Sequence, residues 1–161
     1  SAVTNIDFTS IDESTYNVHF FTVNNLQNNA ASNTSVLIRL FESGTIEAGS
    51  VYQYAWQYGG ATGTFGEFKS TSATSIQAGL GLDTGTNVSS NLYGYFYNLG
   101  DSSKYSFLTF QESGFDGNSV FFGQFGSGVL PQTSTVDGIR FTASTTTFAD
   151  FDISLYGIAE S

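Results

Sequence analysis

The 161-residue chain contains no cysteine, a single histidine, a single proline and only four basic residues. Without cysteine there is no disulfide framework, thiolate metal site or cysteine nucleophile, although compartment stays open because many exported bacterial and viral proteins also lack it. The four cations, Arg39, Lys69, Lys104 and Arg140, stand against 14 acidic residues, a net charge of -10. Such a surface repels nucleic acid and anionic lipid. The acids are scattered singly, which reads as solubility and not as an acidic tail. No run reaches the roughly 18 apolar residues of a spanning helix, so no membrane insertion is expected. The start, Ser1-Ala2-Val3-Thr4-Asn5, has no basic or apolar leader character. It suits a terminus left by methionine removal or by signal cleavage.

Helix formers are sparse, while Thr, Val, Ile, Phe and Tyr abound and 18 glycines interrupt the chain. This is the composition of an all-β sandwich or barrel. Period-two alternation, which sends successive side chains to opposite faces, recurs at Tyr16 to Val23, Val36 to Phe41, Val51 to Tyr58, Ser75 to Leu82 and Leu92 to Tyr97. It returns at Tyr105 to Gln111, Ser119 to Phe125, Val136 to Ala143 and Asp150 to Ile158. With a short strand at Ile6 and Phe8 the pattern predicts about ten strands, forming an antiparallel two-sheet sandwich, jelly-roll-like, as one domain over 1–161. A chain of this length removes roughly 70% of its unfolded surface from water, enough for a core without staples. Three stretches read as loops or connections: Asn24 to Asn33, Gly59 to Gly66, and Gly126 to Thr135 around Pro131.

Chemistry is hard to assemble from these residues. His19, the only histidine, sits in an aromatic strand and reads as a structural or surface residue, not as part of a Ser–His–Asp relay. No nucleophile elbow, phosphate loop or zinc motif is present. No cofactor is expected. Sandwich-fold glycan hydrolases need only two facing carboxyls, and Glu112 with Asp116 is the nearest such pair in sequence. A calcium site could draw on Asp116 and Asn118, but Asp116-Gly117-Asn118 reads first as a turn, because a full loop of alternating acids is missing.

One row invites a function. Tyr52, Tyr54, Trp56 and Tyr58 share one face of a single strand, opposite Val51, Gln53, Ala55 and Gln57. Rings with polar tips suit stacking on sugars, packing into another subunit, or packing within the core. Core packing is the plainest of the three. Tyr93, Tyr95 and Tyr97 form a second, shorter row of the same kind.

Both chain ends resemble a domain of tailed-bacteriophage virion proteins of the tail-fibre, appendage and decoration type. At the amino end the likeness lies in Ile6-Asp7-Phe8-Thr9-Ser10-Ile11-Asp12, then Tyr16 and the strand to Val23, Asn24-Asn25-Leu26, and Val36-Leu37-Ile38-Arg39. At the carboxyl end it lies in Ile139-Arg140-Phe141, Phe148 and the more specific ending Leu155-Tyr156-Gly157-Ile158. The likeness covers about a third of the chain and departs at Ala149-Asp150-Phe151-Asp152, where a glycine is expected. It implies a non-enzymatic structural component on the virion surface, or an extracellular one if not viral. It also implies a homo-oligomer, trimeric in many appendages, docked on other virion proteins and displaying host-binding loops. A lectin-like module that binds host glycans through an aromatic row is the alternative, and a sandwich-fold hydrolase the third.

Overall fold

The computed structural model describes residues 2–29, 34–82, 84, 88–116 and 118–159. These residues form strands and turns, with no helix. The strands are β1 (Asn5–Thr9), β2 (Val18–Asn28), β3 (Val36–Glu42), β4 (Thr45–Ile46), β5 (Tyr52–Gly60) and β6 (Phe65–Ala73). They continue with β7 (Ile76–Gln77), β8 (Ser90–Tyr97), β9 (Ser106–Phe115), β10 (Phe121–Leu130), β11 (Val136–Ala143) and β12 (Phe148–Ile158). One sheet has seven strands in the order β12-β2-β8-β9-β10-β5-β6. The other has the order β1-β11-β3-β4, with β7 also pairing β3. Every pairing is antiparallel. The chain passes repeatedly from one sheet to the other, so the two-sheet, jelly-roll-like sandwich expected from alternation is the fold.

The core lies where alternation sends apolar side chains from both sheets into one layer, the main source of stability in such folds. Phe21 of β2 touches Phe96 within its own sheet, with ring centroids 5.2 Å apart, and Phe141 of the opposite sheet at 5.4 Å. Trp56 stacks on Phe68 at 4.3 Å, with the ring planes 13° apart. His19 is buried and donates from Nε2 to the Ile11 carbonyl at 2.8 Å, a structural role. At Gly128 a Cβ would lie 2.5 Å from Ile76 Cγ2, so a glycine there makes room for a core side chain of the facing sheet.

Several boundaries differ from the sequence reading. Twelve strands, not about ten, occupy the described residues. The additional ones are β4, only two residues long, and β6, whose run Phe65–Ala73 lies at a sheet edge. An edge strand buries little, so its glycine, serines and charges blur the alternation. Of Ser75 to Leu82 only Ile76–Gln77 is strand. Asn24–Asn28 is not loop but the end of β2, where Asn25 adopts φ 54° at a register shift between Val23 and Leu26. An asparagine tolerates that left-handed backbone, so a bulge reads like a loop. Asn29 follows as a bend, and positions 30–33, at the end of that predicted loop, lie outside the described residues. Gly59 to Gly66 holds two strand ends and a turn over 61–64, and β10 continues to Leu130, so the connection to β11 is only 131–135.

The two segments that carry the phage resemblance lie side by side. β12 pairs with β2 over Ile158↔Val18 through Leu155↔Phe21, and Tyr16 covers Gly157, where a Cβ would sit 2.2 Å from its Cδ2. That contact explains the glycine in Leu155-Tyr156-Gly157-Ile158. The departure at Ala149 to Asp152 falls on two register shifts within β12, between Phe148 and Asp150 and between Asp150 and Asp152.

Candidate contact surface

The Tyr52, Tyr54, Trp56 and Tyr58 row points inward. Tyr52 and Trp56 are buried in the core and Tyr54 and Tyr58 are half-buried. Tyr52 is tied down at its hydroxyl, which accepts from the Leu40 amide at 2.9 Å and donates to the Glu47 carbonyl at 3.1 Å. Burial pushes its ionisation well above the ordinary tyrosine range. Tyr54 donates to Gln77 Oε1 at 3.1 Å, a bond between the sheets. The row is therefore core, and offers no flat run of rings to a partner or a sugar.

Glu112 and Asp116 are not brought together. Four residues along a strand span about 13 Å, more than the roughly 5 to 9.5 Å between the carboxyls of glycosidases. Glu112 is only 1% exposed, between the sheets, where its Oε2 accepts from Gln124 Nε2 at 2.9 Å. Gln124 Nε2 also donates to the Leu80 carbonyl at 2.6 Å. Burial pushes the Glu112 carboxyl up to about 8, against smaller opposing contributions from Ser90 and Gln124. Neither its Oε1 nor the Ser90 hydroxyl has a partner of regular geometry. Asp116 instead holds a turn, its Oδ1 accepting from the amides of Asn118 and Val120, both at 2.9 Å. Gly117 is outside the described residues. Among the described residues no three acids or histidines gather as metal ligands.

The feature that stands out is the outer face of the seven-stranded sheet. Nine of the ten large hydrophobic residues exposed among the described residues occupy outward positions on it: Phe65, Tyr93, Tyr95, Phe107, Phe115, Phe121, Phe125, Tyr156 and Ile158. Phe125 is 61% exposed. At about 200 Å² per side chain these residues leave roughly 900 Å² of apolar surface in water. Some of the rings touch: Phe20 lies 4.9 Å from Tyr95 and 6.2 Å from Tyr156, Tyr95 and Tyr97 stack at 6.3 Å, and Phe115 meets Phe121 at 5.7 Å. A hollow of about 420 Å³ beside them is lined by Phe20, Thr22, Asn24, Asn91, Tyr93 and Gln111, with the Tyr93 hydroxyl donating to Gln111 Oε1 at 2.7 Å.

Charge is sorted as sharply. The outward positions of the five inner strands, β2, β8, β9, β10 and β5, carry no charged residue. Charges appear on the edge strands, as the Glu67–Lys69 pair (2.8 Å) on β6 and as Asp150 and Asp152 on β12. The outer face of the other sheet is polar, with Asp7 gripping Arg140 through two bonds of 2.6 Å, Arg39 bonding the Thr74 carbonyl and Thr142 bonding Asn5.

Of this surface the sequence reading singled out only Tyr93, Tyr95 and Tyr97. The rest had a signal in adjacent apolar pairs within strands: Phe20-Phe21, Tyr95-Phe96, Phe107-Leu108, Phe121-Phe122 and Leu155-Tyr156. Neighbouring residues on a strand face opposite ways, so each pair makes both faces apolar. No family model, curated protein or solved structure matches the chain.

Proposed function

We propose that the chain is a non-enzymatic structural module of the tailed-phage particle type, which works by contact through the outer face of its seven-stranded sheet. The observation that carries this reading is the gathering of nine exposed apolar side chains on a face whose five inner strands carry no outward charge, while the opposite face of the sandwich is polar. Apolar surface on that scale is what interfaces cover. The phage-like segments at the two ends support the kind of assembly, and the virion surface is the corresponding location. Immunogold labelling with antibodies to the purified chain tests it. Label on phage particles from lysates that contain the protein is expected, and label confined to the particle-free fraction refutes it.

A second reading, glycan binding, draws on the hollow beside Tyr93, where rings adjoin the amides of Asn24, Asn91 and Gln111 and the hydroxyl of Thr22. Calorimetric titration with neutral oligosaccharides, with Tyr93→Ala as the control, distinguishes it.

A further inference from the structure

We propose that the occupant of the aromatic face is a second copy of this chain, the two seven-stranded sheets packing face to face about a two-fold axis that runs along β9. The proposal rests on the reading of this face as a contact surface and names its partner.

Charge restricts how two copies can meet. Each carries a net charge of -10, so like surfaces repel unless they meet where charge is absent. The outward positions of the five inner strands are such a place. The apolar area is also sufficient, since stable interfaces bury about 800 Å² per partner.

Register supplies the geometry. β9 is the middle strand of the seven, so a two-fold along it sets β8 against the partner's β10, β2 against β5 and β12 against β6. One outward row across the sheet reads Tyr156, Phe20, Tyr95, Thr109, Ser127, Ala55, Lys69. Its first three members are rings and its last three are small or cationic, so the two-fold lays Tyr95 on Ser127, Phe20 on Ala55 and Tyr156 on Lys69. Large meets small, and a cation meets a ring. The neighbouring row reads Ser154, Thr22, Tyr93, Gln111, Phe125, Gln57, Glu67, which lays Tyr93 on Phe125 and Thr22 on Gln57. A two-fold interface must be self-complementary in this way, residue i meeting j and j meeting i. Aligned sheets pack about 10 Å apart, and the hollows around Ala55 and Ser127 give the incoming rings room.

Residues on the axis face their own copies, and the absence of cysteine makes this directly testable. A Thr109→Cys variant of the full chain, treated with a short bis-maleimide, is expected to give a covalent dimer in high yield. Ser14→Cys, away from the face, is expected to stay monomeric. Light scattering coupled to size exclusion is expected to give an even multiple of the chain mass, which falls to the monomer in Phe125→Glu with an unchanged circular dichroism spectrum. An odd multiple, equal cross-linking of Ser14→Cys, or a wild-type monomer at the highest soluble concentration overturns the pairing. A wild-type monomer that binds an apolar dye or a neutral oligosaccharide, and loses that binding in Phe125→Glu, overturns the pairing while leaving the contact-face reading in place. A monomer that binds neither overturns both.

Discussion

Replacing Glu112 by glutamine should remove most of the pH dependence of stability between weakly acid and weakly alkaline conditions. The carboxyl is enclosed, its Oε2 held by Gln124 and pressed by the backbone of Gly79, where φ is +90° and a Cβ would lie 1.7 Å from that oxygen. Burial raises its ionisation from 4.5 to about 8. Between those values the folded chain keeps a proton that the unfolded chain has lost, so stability falls as pH rises, by about 1.4 kcal/mol per unit. Over the full interval the upper bound is about 5 kcal/mol, with the loss complete once pH exceeds the folded value. Asp101, held down to about 2 by Ser103 and Lys104, and Glu67, held low by Lys69, titrate below this window. Urea unfolding followed by the fluorescence of Trp56, the only tryptophan, measures the effect at intervals from pH 5 to pH 9. Glu112→Gln should match wild type near pH 5 and exceed it by several kcal/mol near pH 8. Parallel profiles for the two proteins would refute the reasoning.

Other substitutions probe other links of the same structure. Gly157→Ala should cost about 1–3 kcal/mol by displacing Tyr16. Combining it with Tyr16→Ala should cost less than the two changes summed, measured as a double-mutant cycle. Tyr52→Phe should lower stability by about 1–3 kcal/mol, because it takes the hydroxyl from the buried Leu40 amide and the half-buried Glu47 carbonyl. Asp7→Asn should change stability by no more than about 1 kcal/mol, with less effect at high salt, since the Asp7 and Arg140 side chains are 33% and 24% exposed.

Much of the fold was legible in one dimension. Alternation located the bodies of β2, β3, β5 and β8 to β12, because a strand's two-residue period survives wherever one face is buried. It failed where burial is slight, at β6, and where the chain is too short to show a period, at β4, and it drew β7 too long, since only Ile76–Gln77 of Ser75 to Leu82 is strand. It also mistook the bulge at Asn25 for a loop, since both want the same residue. The adjacency of the two terminal segments was not legible, nor was Gly157's role under Tyr16, because strands distant in sequence carry no mark of which neighbour they pair with.

The sequence by itself determined that this chain is built of antiparallel strands, that it is strongly acidic, and which side chains share a face. Only the tertiary structure decided which face is inside. Tyr52, Tyr54, Trp56 and Tyr58 on β5 and Tyr93 and Tyr95 on β8 are rows of the same composition and period. The first meets the opposite sheet and becomes core, while the second faces outward beside Phe20 and Tyr156. Alternation divides a strand into two faces without ranking them. The ranking comes from the sheet that packs against one of them, and where both are apolar, as along β2, β8, β9, β10 and β12, the outer one remains a surface with apolar area to cover.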